Sequence, residues 1–165
     1  MIKKITLLML LLCVLLTSTA LAKPIITADK TYFDVATGLY NLVGNVYIEV
    51  GNRIITAGQA KVNMASMEVS GSGGITVTQD DIKFSGDNVF VYGTASKAEV
   101  NGNIIFVRSG LSITSDQATF NWKTKQAVFT GNVQVIQGND SKTYNSVTYD
   151  IVANIVTPDS DSSQK

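Results

Sequence analysis

The chain has 165 residues and a balanced formal charge, with 13 Lys and Arg against 13 Asp and Glu; it contains no His and one Cys. Without His, a Ser-His-Asp triad, a Cys-His pair and an imidazole metal site are excluded. The neutral balance gives no support for a nucleic-acid-binding surface. Because 45% of the residues are hydrophobic, the chain can build a core, and its length predicts one domain.

The N-terminus has the three parts of a secretory signal peptide. Two lysines at residues 3–4 precede an apolar run over residues 5–16, and an Ala-Leu-Ala sequence follows at residues 20–22. We therefore predict cleavage after Ala22. A retained membrane anchor is the alternative, but the apolar run is short for a hydrocarbon core that needs about 20 residues. Cleavage also removes Cys13, so the mature chain contains neither Cys nor His.

Beyond this segment the sequence repeats at a nearly constant interval. A phrase of the form Ile-Thr-Ala-Asp begins at Ile26 and recurs, with substitutions, at the evenly spaced positions Ile55, Phe84 and Ile113. A second phrase has the form Gly-Asn-Val-x-Ile, and its glycines keep nearly the same spacing: Gly44, Gly74, Gly102 and Gly131. Two interleaved phrases that keep one period indicate a repeat architecture.

Each period predicts two extended arms. Apolar and polar side chains alternate, for example in residues 46–50 and 75–78, and residue types typical of strands dominate. Turn signals rich in Gly, Asn and Asp separate the arms, as at residues 51–52 and 138–140. We predict nine arms of roughly a dozen residues within residues 25–152, each paired antiparallel with its sequence neighbours.

Many arms carry a glycine near the middle. Because glycine weakens the interior of a strand, its recurrence indicates a bend or a bulge. We predict that each arm folds over at mid-length and adds one short strand to each of two facing sheets. The predicted fold is all-β, a repetitive bent antiparallel β-jelly-roll of stacked β-hairpins with open ends. A flat meander is the alternative, and it leaves these glycines unexplained: Gly44, Gly58, Gly74, Gly86, Gly102 and Gly131.

The alternation of the two phrases resembles the LptA/OstA-like family of periplasmic lipopolysaccharide-transport proteins. The resemblance covers residues 25–157, and the second and third repeats depart from the pattern at Gly58, Gly86 and Gly73-Gly74. The motifs that carry it are Ala28-Asp29-Lys30 with Tyr32-Phe33-Asp34, Gly44-Asn45-Val46-Tyr47-Ile48, Ser115-Asp116-Gln117-Ala118 with Phe120-Asn121, and Gly131-Asn132-Val133-Gln134-Val135, with a looser match at Tyr144-Asn145 and Tyr149-Asp150.

The resemblance implies a periplasmic protein whose apolar interior holds lipopolysaccharide acyl chains and whose edges join a bridge from the inner to the outer membrane. Other OstA-like transport proteins are the implied partners, and a head-to-tail homo-oligomer is expected. The physics of sheets agrees, since an open stack leaves an unpaired strand at each end and β-augmentation uses such edges. The predicted edges are arm one, residues 25–35, and arm nine, residues 143–152. No cofactor and no nucleic-acid partner is expected.

The candidate lipid-binding residues are apolar side chains predicted to face the interior. For any one of them, ordinary core packing is the simpler interpretation. An open apolar groove, however, favours a guest, and a chain of about a dozen methylenes could gain up to ~9 kcal/mol there. The candidates are Val46, Ile48, Ile75, Val77, Phe84, Ile104, Phe106, Ile113, Phe120, Val133 and Val135.

Three segments follow from these patterns. Residues 1–22 are the predicted signal peptide, residues 23–157 the OstA-like domain, and residues 158–165 a polar, disordered tail. No cluster of Lys or Arg is dedicated to a charged headgroup. Arg53 and Arg108 are each at the end of an arm, where they could simply be solvated. Trp122, the single tryptophan, either caps the sandwich or lies at an exposed lip.

Other function classes remain open on the sequence alone. A carboxylate-dependent polysaccharide hydrolase on a β-solenoid would need paired carboxylates, and Asp80-Asp81 is the one adjacent pair. Turn aspartates usually bond the backbone, so no catalytic or metal-binding residue is predicted. A secreted scaffold or adhesin module shares the repeats but predicts no bound lipid. A membrane-anchored, LptC-like relative would keep its N-terminal segment uncleaved.

Overall fold

The structure is a computed structural model that describes residues 25–159. The predicted signal peptide, its cleavage site and residues 160–165 of the predicted tail lie outside the described residues. Residues 25–159 contain no helix, and the all-β prediction is confirmed. The strands are β1 (Ile25–Thr27), β2 (Lys30–Asp34), β3 (Leu39–Val50), β4 (Arg53–Asn63), β5 (Glu68–Gln79), β6 (Ile82–Tyr92), β7 (Lys97–Arg108), β8 (Leu111–Asn121), β9 (Gln126–Gln137), β10 (Asp140–Asp150) and β11 (Ile155–Pro158).

All strands belong to one open antiparallel sheet. Its order is β1-β3-β4-β5-β6-β7-β8-β9-β10-β11, and β2 also pairs with β3. The first predicted arm is therefore split into β1 and β2, which pair with opposite ends of β3. The eight following arms match β3 to β10, whereas the short strand β11 was not predicted. Sequence neighbours pair because each connection is a short turn.

Each long strand changes register once near its middle, as predicted from the recurring glycines. In β3 the shift lies between Val43 and Val46, and in β7 it lies between Asn101 and Ile104. At four of these shifts two successive residues have positive φ, a conformation that glycine and asparagine adopt most readily. These pairs are Gly44-Asn45, Gly73-Gly74, Gly102-Asn103 and Gly131-Asn132.

The positions of these residue pairs correct one detail of how the sequence repeats were matched to each other. Gly44, Gly73, Gly102 and Gly131, the first residues of the four pairs, are evenly spaced along the chain, so Gly73, not Gly74, corresponds to Gly44. Three of the bends are tied to the preceding arm by an Asn amide that donates to an Asp carboxylate. These bonds, of 2.8 to 2.9 Å, join Asn45 to Asp29, Asn103 to Asp87 and Asn132 to Asp116.

The bend between β4 and β5 has no such Asp–Asn pair. Gly58 and Gly74 occupy the two positions, and a Cβ on Gly58 would lie only 3.0 Å from the carbonyl oxygen of Gly73. The backbones approach each other closely there, which explains why the repeat departs from its pattern at this point.

The bends divide the sheet into two layers, which we call layer A and layer B. Ring contacts between the layers establish that they face each other. The centroid of Phe106 in layer A lies 5.8 Å from that of Phe129 and 5.0 Å from that of Tyr149, both in layer B. The prediction of two facing sheets therefore needs one correction: the layers are two halves of one continuous sheet. Layer A comprises residues 25–27, 46–57, 75–86, 104–115 and 133–144, and layer B comprises residues 30–43, 59–72, 88–101, 117–130 and 146–158.

The core between the layers forms two clusters. The larger lies within β7 to β10 and includes Phe129, Ile113 and Tyr149, which are fully buried. The smaller lies within β3 and β4 and includes Leu42 and Val46. Strands β5 and β6 lie between the two clusters. None of the secondary structure in residues 25–159 is a helix suited to crossing a membrane.

Candidate functional site: the apolar interior and its ends

The candidate lining residues all lie between the two layers. Val77, Phe84 and Phe120 are half-buried, and the remaining eight are buried. Their placement follows from the period-two alternation of side chains along each strand. The structure thus brings the whole predicted set together on one inner surface, while its role in lipid binding stays a prediction.

Ten of these eleven residues belong to layer A, so the sequence analysis missed most of the opposite wall. The exception is Phe120, which lies in layer B. The missed wall carries the same period as the two phrases, from Leu42 through Gly71 and Val100 to Phe129, and this period was the signal that could have found it. Its buried members include Leu42, Ala60, Val62, Val100, Ala118, Phe129, Val147 and Tyr149.

Strand register joins the residues of each wall into a row that runs from β3 to β9 in layer A and from β3 to β10 in layer B. Beyond these strands two register partners are polar, since Lys142 on β10 pairs with Val135 and Thr31 on β2 pairs with Leu42. The rows contain no polar side chain, so they offer a ligand hydrophobic and dispersion contacts only. In layer A the paired row is Ile48, Ile55, Val77, Phe84, Phe106, Ile113 and Val135. In layer B it is Leu42, Ala60, Gly71, Val89, Val100, Ala118, Phe129 and Val147.

The interior is enclosed to different degrees along the sheet. In the larger cluster Ile113, Phe129 and Val133 have no exposed surface. In the middle of the sheet the inner residues Val77 and Val89 are only half-buried. The C-terminal part of the interior is thus closed like an ordinary core, and the middle part is more accessible.

The turns at the two outer margins form lips, which face each other across the open side of the bent sheet. Lip A consists of residues 51–52, 80–81, 109–110 and 138–139, and lip B of residues 35–38, 64–67, 93–96, 122–125 and 151–154. Trp122 lies in lip B, half-buried, and its backbone N–H donates to the carbonyl of Ser96 in the neighbouring turn. The structure therefore assigns Trp122 to a lip.

Both arginines at arm ends in layer A have protein partners. The Arg53 Nε donates to Gln79 Oε1 at 2.8 Å, and burial lowers the pKa of Arg53. The Arg108 Nε lies 3.1 Å from Asp81 Oδ2. Its Nη1 donates to the Tyr149 hydroxyl at 2.9 Å and to the Ile151 carbonyl at 2.6 Å. The bond to Tyr149, followed by Asp81, raises the pKa of Arg108 against the effect of burial.

The first end of the sheet is formed by β1 and β2, as predicted for arm one. Within residues 25–159 these strands have a neighbour on one side only, and Ile25, Tyr32 and Phe33 are each about half exposed. An apolar strand edge in this state is suited to pairing with another strand.

The second end differs from the prediction for arm nine. β11 pairs with residues 147–150 of β10, so in the part of the chain that the structure describes residues 140–144 remain the open edge. The chain reverses because the Asp150 carboxylate accepts the backbone N–H groups of Val152 and Ala153. Next to the open edge is a cleft of about 360 Å³, lined by Val135, Gln137, Asp140, Lys142, Tyr144, Val156 and Pro158.

Asp80 and Asp81, the carboxylate pair considered for hydrolysis, lie in a turn and bond residues at neighbouring turns. Asp80 accepts from Asn52 Nδ2 at 2.7 Å, and Asp81 pairs with Arg108. Within residues 25–159 no group of three or more His, Cys, Asp or Glu side chains is arranged to hold a metal ion. Neither observation provides a site for catalysis at Asp80-Asp81.

The fold and its interior define a class of protein, namely repetitive all-β proteins built as one open, bent antiparallel sheet with apolar inner rows and unpaired edges. Residues 112–149 match the family model described as LptA/(LptD N-terminal domain) LPS transport protein. The resemblance to the LptA/OstA-like family is thereby confirmed over these residues. Among solved structures the chain is similar to LptH, the LptA homologous periplasmic component of the lipopolysaccharide transport device from Pseudomonas aeruginosa. The identity is 14%, the TM-score is 0.52, and the match covers 59% of this chain and 75% of that one. No curated protein matches.

Proposed function

We propose that this chain is a periplasmic lipopolysaccharide-transport protein that binds acyl chains between layers A and B. The observation that carries the proposal is the pair of facing apolar rows, which continue across the sheet from β3 to β9. The family model and the fold of LptH support this function. We further propose secretion through the signal peptide, with cleavage after Ala22.

The chemistry of the interior suits an alkyl guest. Each buried methylene contributes about 0.8 kcal/mol, and the rows present no polar group that a saturated chain would leave unpaired. A phosphorylated sugar headgroup would stay at the lips, because burying its charges is costly. Similar inner surfaces recur with each repeat, so a guest moving along the sheet meets similar environments.

The open edges support assembly into a bridge between the membranes. β1 and β2 at one end and residues 140–144 at the other offer unpaired backbone groups. Head-to-tail pairing of these edges, either with a second copy or with another OstA-like transport protein, would continue the antiparallel sheet from one molecule to the next.

Site-specific photo-crosslinking tests the binding site with neighbouring residues as controls. A photoreactive amino acid at Ile48, Phe106 or Val133 is expected to capture lipopolysaccharide in the cells of the host. The adjacent outward positions Tyr47, Ile105 and Gln134 are the matched controls and should capture none. Capture at the outward positions alone would contradict the proposal, as would protein purified from its host without lipid detectable by mass spectrometry.

A further inference from the structure

The two lips of the C-terminal part of the sheet are joined by one side chain. Arg108 extends from the end of β7 in layer A to the turn after β10 in layer B. There its Nη1 donates to the carbonyl of Ile151 at 2.6 Å and to the hydroxyl of Tyr149 at 2.9 Å. We call these three residues the Arg108 clasp.

The clasp is held in place from both sides. In layer A the Asp81 carboxylate accepts from Arg108 Nε at 3.1 Å. In layer B the Tyr149 hydroxyl donates onward to Asn154 Oδ1 at 2.8 Å. The Arg108 side chain is 22% exposed, so its bonds are partly shielded from water and screened less than bonds at the surface. Hydrogen bonds to a charged group are the stronger kind, and several of them converge here.

Arg53, near the other end of the sheet, also has an inner position beside lip A, at the start of β4 rather than at the end of a strand. Its Nε bonds Gln79, which is its paired neighbour on β5, so this bond stays within layer A. Among the hydrogen bonds described for residues 25–159, the side-chain bonds that connect lip A with lip B are those of Arg108.

The clasp adjoins the buried aromatic contacts of the larger core cluster. The ring of Tyr149 contacts that of Phe106 with centroids 5.0 Å apart, and Phe106 contacts Phe129 at 5.8 Å. A chain of methylenes has no room between these rings while the lips are tied. Separating the lips requires breaking the bonds of Arg108 to Tyr149 and Ile151.

We propose that the Arg108 clasp gates the C-terminal part of the interior, which opens to an acyl chain only when Arg108 releases lip B. The statement about acyl chains rests on the proposed function, whereas the closing of the lips does not. Arg108 is in this sense a positioning residue: it sets which part of the inner surface a lipid can reach.

Double electron–electron resonance measures the lips directly and without lipid. Residues 25–159 contain no Cys, so spin labels can be placed on cysteines introduced at the exposed positions Ser109 in lip A and Ala153 in lip B. The spin-labelled protein with Arg108 and Tyr149 unchanged should give one narrow distance distribution. Arg108→Ala should broaden it and shift it to longer distances. Tyr149→Phe, which keeps the ring packing, should give a smaller shift in the same direction. Arg53→Ala is the matched control and should change nothing.

The second measurement is the release rate of a fluorescently labelled lipopolysaccharide from the same variants. We expect Arg108→Ala to raise this rate by roughly tenfold, because losing charged hydrogen bonds shifts the equilibrium towards the open lips by about that factor. Unchanged distances in both clasp variants would overturn the gate, even if lipid binds. Shifted distances in a protein that binds no lipid would support the clasp while contradicting the proposed function. Equal release rates in the Arg53 and Arg108 variants would overturn the gating of the lipid.

Discussion

At the scale of single residues, the bends depend on backbone conformations that few residues adopt. Gly131 and Asn132 both have positive φ, and the Asn132 amide donates to Asp116 across the bend. An Asp–Asn bond of this kind recurs at three bends, so the side chains that tie the arms are part of the repeat. Turning the chain here needs Gly first, because Asp116 fills the space where a Cβ would stand.

Two glycines with the same φ separate the cost of a left-handed backbone from the cost of displacing the Asp116 side chain. Gly110 and Gly131 both have φ of 75°, but a Cβ on Gly110 meets nothing within 4 Å, whereas one on Gly131 would lie 2.6 Å from Asp116 Oδ2. Gly110→Ala should lower the free energy of unfolding by roughly 1–2 kcal/mol, the cost of a left-handed residue. Gly131→Ala should cost roughly 1 kcal/mol more, because the Asn132–Asp116 bond is displaced. Urea unfolding measures both, and equal losses would contradict the role of Asp116.

The alternation of side chains predicted layer A well and layer B poorly. In layer A large β-branched and aromatic residues such as Ile113 and Phe84 alternate with polar ones. In layer B the inner row includes Ala60, Gly71 and Ala118, which carry little hydrophobic signal in a single strand. These small residues become recognisable as lining only when strand register aligns them with Phe129, and register depends on the bends.

At the scale of elements, the number and order of the long strands could be predicted, but the C-terminal edge could not. Repetition and short turns indicate neighbour pairing without knowledge of side-chain packing. β11 is only four residues long and ends in Pro158, so no alternation marks it. It forms because the turn at residues 151–154 returns the chain to β10. A strand this short takes its structure from its neighbour rather than from its own sequence.

Because β11 covers part of β10, a proline substitution that tests edge pairing must lie within residues 140–144. A proline at Thr148 would disturb a residue that pairs with both β9 and β11, so it would damage the fold itself. Thr143 lies on the open edge, opposite Gln134 of β9. Along β9 and β10, hydrogen-bonded and non-hydrogen-bonded residue pairs alternate, starting from the pair of Gln137 and Asp140 that closes the two-residue turn. By this alternation the Thr143 N–H points away from β9.

We therefore expect Thr143→Pro to reduce self-association or partner docking while the monomer stays folded. The proline removes an N–H that a docking strand would use and adds a ring that blocks its approach. Thr143→Ala keeps the N–H and should associate like the unsubstituted protein. Sedimentation velocity reports the association, and circular dichroism checks the fold. Full association of the proline variant would contradict pairing through residues 140–144.

At the scale of the whole molecule, the sheet is a stack in which backbone pairing joins neighbouring strands, and side-chain contacts across the layers, such as that of Phe106 with Tyr149, join strands within the larger cluster. Stability in such stacks is close to a sum of local terms, so separate parts can open separately. The division of the core into two clusters on either side of β5 and β6 agrees with this. The bend of Gly58 and Gly73 without an Asp–Asn pair lies at the same place. The sequence predicted the repetition, but this division depends on which repeats carry large residues and which carry glycine.

Leu42 and Phe129 test this division, because they occupy the same position of the repeat in different clusters and are 3% and 0% exposed. Truncation of either to Ala should cost roughly 2–5 kcal/mol locally. Hydrogen exchange followed by mass spectrometry should then show lost protection in β7 to β10 for Phe129→Ala and in β3 and β4 for Leu42→Ala. The reason is that the buried members of the two clusters come from β3 and β4 and from β7 to β10, while β5 and β6 add half-buried side chains packed against them. Equal loss of protection along the whole sheet in both variants would mean that the molecule unfolds as one cooperative unit, and that acyl chains cannot open one part of the interior while the other stays closed.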